Sequence, residues 1–181
     1  MQAIATLLDR NADEKTQEMW HALEKACGVS GVKIPKDPHF SWFVAEKYDE
    51  AGVKQEFTML AGELDPFEIQ TDGIGLFTGV RPILYIPIVK TRQLLELHER
   101  IWNLLYPLGQ TVSEVYQPGH WIPHITIASD DSSLTNWSCI FEALLHLELE
   151  MTIPVNNLAL IYSEEQSAGI NFVQEFEKAQ P

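Results

Sequence analysis

Two short segments of the chain carry one arrangement: Pro38-His39-Phe40-Ser41 and Pro123-His124-Ile125-Thr126, their histidines 85 positions apart. In each, a histidine follows a proline, opens a run of apolar and β-branched residues, and has a hydroxyl two positions on. Strand side chains alternate between faces, so His39 shares a side with Ser41 and His124 with Thr126. Phe40, Trp42, Ile125 and Ile127 then point the other way. Each of these two strands therefore has a polar face and an apolar one.

The elements around the motifs repeat as well. Residues 3–8 read as a buried strand, and a helix beginning at Asn11 or Asp13 carries Met19, Trp20, Leu23 and Ala26 to a stop before Gly28. The segment HFSWFVA is a strand, and a helix runs through Phe57, Leu60 and Leu64. Strands at 67–70 and 74–78 flank Asp72-Gly73, a hairpin-type turn. The order restarts with ILYIPIV at 83–89, a helix from Leu94 to a stop near Pro107-Leu108-Gly109, and WIPHITIA. A helix with Trp137, Ile140, Phe141, Leu144 and Leu145 follows, then strands at 149–153, 158–162 and 170–176. IGLF at 74 and LALI at 158 keep nearly the same spacing, 84 positions. The pattern predicts an internal duplication. The expected fold is α+β and bilobal, a single domain over 1–181. Its two pseudo-twofold lobes come from roughly 1–80 and 82–177, each an antiparallel sheet flanked by helices, about a central cleft. By this repeat Tyr85 corresponds to Ile4.

Charge narrows the partners. The 181 residues hold 12 Lys and Arg against 26 Asp and Glu, a formal net charge of −14. Such a chain repels a long phosphate backbone, which excludes a general nucleic-acid coat protein. Residues 101–181 contain Lys178 as their one basic residue against 10 acids. Lys33 and Lys36, before the first motif, are the nearest cations to it in sequence and read as solvated loop residues. The opening MQAIATLLD lacks a basic stretch, and no run of ~18 apolar residues occurs, so no membrane association is expected. Cys27 and Cys139 fit neither metal-ligand spacing nor a disulfide framework; two free thiols in a reducing, cytoplasmic setting are expected.

With two lobes about one axis, two imidazoles and two hydroxyls meet around one small group, the set of parts that phosphodiester cleavage uses. A histidine titrates near ~6.5, so one can accept a proton while the other donates one. Each transfer contributes roughly 10²–10⁴-fold. Ser41 and Thr126 can hold non-bridging oxygens as charge develops.

His39-Phe40-Ser41 and His124-Ile125-Thr126 resemble the paired His-x-Thr/Ser motifs of the two-histidine (2H) phosphoesterase superfamily, which includes 2′-5′ RNA ligase-like proteins and cyclic nucleotide phosphodiesterases. The resemblance implies metal-independent chemistry on 2′,3′-cyclic or 2′-5′ phosphodiester bonds, with no cofactor. It assigns His39 and His124 to acid/base catalysis and Ser41 and Thr126 to phosphate binding. Ser41 replaces the commoner threonine and keeps the hydroxyl. The absence of Lys and Arg from 101 to 177 disfavours long RNA and favours a small nucleotide or RNA end, bound by a monomer.

Trp121 and Tyr85 are candidates to stack on a base, at ~1–3 kcal/mol each, with packing roles as the alternative. His120 and His124 have the i, i+4 spacing of helical zinc ligands, but Pro118, Gly119 and Pro123 oppose a helix, so no metal is expected. His98 and His146 read as structural histidines on amphipathic helices. Asp130-Asp131-Ser132-Ser133 reads as a loop and helix N-cap. Two other functions stay open: a module that binds a phosphorylated ligand without turning it over, and a metal-dependent hydrolase using His120 and His124.

Overall fold

The computed structural model describes residues 1–29, 37–129, 136–164 and 167–177. Strand β1 (Gln2–Leu7) leads to helix α1 (Arg10–Cys27), then β2 (His39–Ala45), β3 (Lys47–Tyr48), α2 (Glu50–Glu63), β4 (Phe67–Gln70) and β5 (Gly75–Phe77). The second series is β6 (Ile83–Pro87), α3 (Arg92–Leu105), β7 (Gly109–Gln110), β8 (His124–Ser129), α4 (Trp137–Leu144), β9 (Thr152–Val155), β10 (Asn157–Ser163) and β11 (Ala168–Glu175). Short 3-10 turns occupy Tyr106–Leu108 and Glu114–Tyr116. Helix α1 shows how closely local sequence sets these elements. The Asp9 carboxylate caps the backbone N–H groups of Asn11 and Ala12, and Ala12, Thr16, Met19 and Leu23 form the buried stripe. The helix stops at Gly28, whose φ of 68° is left-handed.

Seven strands form one antiparallel sheet in the order β11-β10-β1-β2-β8-β6-β5. The outer strands are exchanged between the halves of the chain. β10 and β11 lie beside β1, whereas β5 lies beside β6, and β4 pairs with β9 in a ribbon of its own. The expected hairpin about Asp72-Gly73 therefore does not form: β4 and β5 take different partners. A hairpin of three- and four-residue strands would bury little and be marginal in water. Pairing across the halves instead puts Ile69 against Ile153, each 1% exposed or less.

The pairing is symmetric about the contact of β2 with β8, which consists of the residue pair Phe40↔Ile125. On one side β1 lies between β10 and β2, and on the other β6 lies between β5 and β8. Both motif strands carry a β-bulge at the same place. Ile4 pairs with Phe43 and Ala5 with Ser41, leaving Trp42 as the extra residue. Leu84 pairs with Ala128 and Tyr85 with Thr126, leaving Ile127 extra. An extra residue breaks the two-residue alternation. Trp42 and Phe43 can then both turn inward, as can Ile127 and Ala128, all of them 1% exposed or less. The main core lies between sheet and helices, with α1 against β8, α3 against β2 and α2 against β10 and β11. A smaller cluster of Ala3, Ala5, Ala159 and Ile161 lies on the other face.

The cysteines depart from the sequence expectation of two free thiols. Cys27 ends α1 and Cys139 sits in the first turn of α4; the helices pack together, and the residues form a disulfide with Cα atoms 5.8 Å apart. Their separation of 112 residues conceals this proximity in the sequence. The pairing removes the thiol argument for a reducing compartment. Among the described residues, no helix is long and apolar enough to cross a membrane. Closing so long a loop constrains the unfolded chain, by about 2–4 kcal/mol in typical cases. Reduction, or Cys139→Ser, is expected to lower the stability measured by denaturant unfolding by that amount. Equal unfolding midpoints with and without reductant would show that the bond adds nothing.

Candidate active site

Each proline of the repeated motif does the same two things. It lacks an N–H, so at the head of a strand it forfeits no ladder bond. Its carbonyl accepts a backbone hydrogen bond, Pro38 from Leu8 and Pro123 from Ile88, both at 3.0 Å. The residue before each proline holds the histidine. His39 Nδ1 lies 2.8 Å from the Asp37 carbonyl oxygen, and His124 Nδ1 lies 2.6 Å from that of Ile122. A carbonyl only accepts, so in both rings Nδ1 carries the proton and donates it, which leaves Nε2 free for a ligand.

His39, Ser41, His124 and Thr126 line one cleft of about 270 Å³. Val44 and Ser129 join them because the bulges at Trp42 and Ile127 shift the alternation and turn these two residues to the polar side. Burial pushes both imidazoles below the ordinary histidine range, and the charge of His124 lowers His39 further. The hydrogen bonds to the Asp37 and Ile122 carbonyls pull in the opposite direction without cancelling it. No Lys or Arg is among the described residues that line the cleft.

The two sides of the cleft differ. The register makes Ala5, rather than Ile4, the counterpart of Tyr85: Ala5 pairs with Ser41 and Tyr85 with Thr126. Ala5 is small and fully buried, and Ala3 and Ile161 line the cleft. Tyr85 fills the other side. Its ring stacks on Phe77 at 4.2 Å between centroids and lies 5.1 Å from His124, and Phe77 meets His124 edge-on at 5.1 Å. Gly75, paired with Tyr85, makes this possible, because a Cβ there would fall 2.3 Å from the tyrosine ring. Beyond His124 lies a second, mainly apolar cavity of about 410 Å³. Phe77, Val115 and Ile122 line it, and it shares Ile83, Tyr116 and His124 with the cleft.

Other expectations fall out as follows. Trp121 is 1% exposed; His98 and Trp42 stack against it at 3.9 and 5.4 Å, and its Nε1–H donates to the Ser41 carbonyl. The ring packs in the core and is also among the residues lining the apolar cavity beyond His124. Tyr85 is 9% exposed and already has Phe77 on one face, so it packs His124 rather than offering a free stacking surface. His98 is buried with its Nε2 on the Trp42 carbonyl, and burial drives its pKa down to about 4, in keeping with a structural role. His146 lies in the turn after α4 and is exposed. His120 is held by Gln117, and among the described residues no group of three or more His, Cys, Asp or Glu is placed to hold a metal. Lys33, Lys36 and the segment 130–133 lie outside the described residues. Tyr116, in the 3-10 turn before β8, borders both cavities and carries no signal in the sequence; tertiary packing alone brings it there.

The family model of the 2′-5′ RNA ligase superfamily matches residues 10–167. The chain belongs to that superfamily. A protein of Oceanobacillus iheyensis named provisionally as a phosphoesterase is 29% identical over 117 residues, covering 63% of this chain and 64% of that one. A similarly named protein of Bacillus mycoides is 22% identical over 147 residues, covering 76% and 81%. Among solved structures, a phosphoesterase superposes with a TM-score of 0.62 at 15% identity, covering 98% of both chains. Escherichia coli LigT, solved with NADP+, gives 0.58 at 13% identity over 98% of this chain and 97% of its own. The large antiparallel sheet and four helices are thus those of a LigT-like phosphoesterase fold.

The tight fit of Tyr85 over Gly75 is directly testable. Gly75→Ala is expected to cost about 1–3 kcal/mol by overpacking and to move the tyrosine off His124. NMR would show this as a loss of ring-current shifts on the His124 ring protons. Unchanged shifts and an unchanged unfolding midpoint would refute it.

Proposed function

We propose that this phosphoesterase-superfamily chain is a metal-independent phosphodiesterase that opens 2′,3′-cyclic phosphates, or cleaves 2′-5′ phosphodiester bonds, of small nucleotides or RNA ends. The observation that carries this reading is the equivalence of the two imidazoles. Each is fixed through Nδ1 and presents Nε2 to one cleft, beside a hydroxyl two residues on. Water attacks phosphorus while one neutral Nε2 takes its proton. The bond to the ribose oxygen breaks, and the other imidazole, protonated, gives its proton to that oxygen. Ser41 and Thr126 donate to the non-bridging oxygens. With a hydroxyl in place of water, the same sequence joins a cyclic end to that hydroxyl, the ribose oxygen leaving with the second imidazole's proton, and no nucleotide cofactor is needed.

A cleft lined, among the described residues, by no lysine or arginine suits a phosphodiester of single charge, which hydroxyls and one imidazolium can balance. The apolar cavity past His124 suits the uncharged base. Its volume of about 410 Å³ is ordinary for a small-molecule site. The net charge of −14 favours a short substrate over long RNA.

The decisive experiment is a pH profile of kcat/KM on a nucleoside 2′,3′-cyclic phosphate in the presence of EDTA. A bell is expected with both limbs below the ordinary histidine value, since burial lowers both groups. His39→Ala and His124→Ala should each lose about 10²–10⁴-fold, and Ser41→Ala and Thr126→Ala less, roughly 10–10²-fold. Near-normal turnover in either histidine variant overturns the mechanism. Loss of activity in EDTA would point to the His120 and His124 metal alternative, and binding without turnover at any pH to a ligand-binding module.

The base site makes a separate prediction. Val115 is 69% exposed at the cavity mouth, and Val115→Asp removes apolar contact worth roughly 1–1.5 kcal/mol. KM for a nucleoside cyclic phosphate should rise about tenfold while that for a cyclic phosphate lacking a base stays put. An equal change for both substrates would place the base elsewhere.

A further inference from the structure

The two motif strands are joined by little backbone. β2 pairs with β1 at six positions and β8 with β6 at five, but β2 and β8 share the pair Phe40↔Ile125. Past that pair the ladder does not hold the first motif's Ser41 against the second motif's His124. A side chain spans the place instead. Trp121 lies three residues before His124, on the segment that delivers the second motif, and its Nε1–H donates to the Ser41 carbonyl at 3.1 Å. We infer that Trp121 is a positioning residue that fixes Ser41 and His124 relative to each other across the β2–β8 junction. The inference rests on the acid/base reading given above and adds to it the part that sets the spacing of the two motifs.

The ring is itself held firmly. His98 stacks on it at 3.9 Å with planes 8° apart, and Trp42 at 5.4 Å and 22°. Trp42 is the bulge residue next to Ser41, and its Nε1–H donates to Thr6 Oγ1 on β1. His98, from α3, reaches the Trp42 carbonyl through Nε2. One aromatic stack thus fastens β1, β2, α3 and the approach to β8. Only 1% of its surface is exposed, and although Trp121 is among the residues lining the apolar cavity, it does not line the cleft that holds both histidines, so an effect of Trp121 on kcat passes through the residues it holds. A catalytic group displaced by about 1 Å can cost ~10²-fold, which makes such a strut measurable.

The test removes the donor. Trp121→Phe is one variant; replacement of Trp121 by benzothienylalanine, which has the indole's shape with sulfur in place of N–H, is a second that preserves packing if the phenylalanine variant does not fold. On a nucleoside 2′,3′-cyclic phosphate the expected result is a fall in kcat of about 10–10²-fold with little change in KM. NMR titration of the His39 and His124 side chains gives a readout that needs no substrate. Both should titrate higher than in the wild type, because a looser junction admits water and separates the two rings. If cyclic phosphates are not substrates, the function proposed above fails while the titrations still decide the strut. A folded variant with wild-type kcat and wild-type titrations of both histidines overturns it.

Discussion

Everything at the site depends on how two strands from different halves of the chain meet at Phe40↔Ile125. Both side chains point into the core, at 0% and 1% exposure, and the alternation of a strand then turns the flanking histidines and hydroxyls to the opposite, open face. Burial of one face is what presents the other. The strand exchange supports the contact from both sides: β10 and β11 of the second series complete the sheet next to β1, and β5 of the first completes it next to β6. Neither half could bury its own strands alone, so cleft and core form together.

The near-symmetry has a limit with chemical content. His39 and His124 share the same proline, the same i−2 carbonyl partner and the same tautomer, so their intrinsic chemistry is matched. Their neighbours are not. Ala5 stands where the other side has Tyr85, and Tyr85 and Phe77 pack around His124. The repeated framework presents two similarly held imidazoles, and different residues around them give the His124 side an aromatic wall backed by an apolar cavity. Among the described residues, no lysine or arginine lines either cavity.

Much of this was legible from sequence. The motif pair, the element order and the apolar face of each strand followed from residue type and period, because burial on one face forces alternation whatever the partner strand is. The packing of Trp121 and the pairing of the cysteines were hidden for one reason. A tryptophan three residues before a motif histidine shows nothing of its packing until His98, from a helix earlier in the chain, covers its face. Two cysteines 112 residues apart look unrelated until α1 and α4 are packed side by side. The hairpin about Asp72-Gly73 failed similarly, since a local turn signal competed with better burial across the halves.

The sequence by itself determined which residues could do the chemistry and which face of each strand they occupy, since spacing and alternation are properties of a single segment. Only the tertiary structure decided what surrounds them: the pairing of exchanged strands, the phase shift at the two bulges that turns Val44 and Ser129 to the cleft, the aromatic stack behind Ser41, and the arrival of Tyr116 at both cavities. Those contacts join residues far apart in the chain. They are selected by the total surface that can be buried at once, a quantity that no local pattern contains.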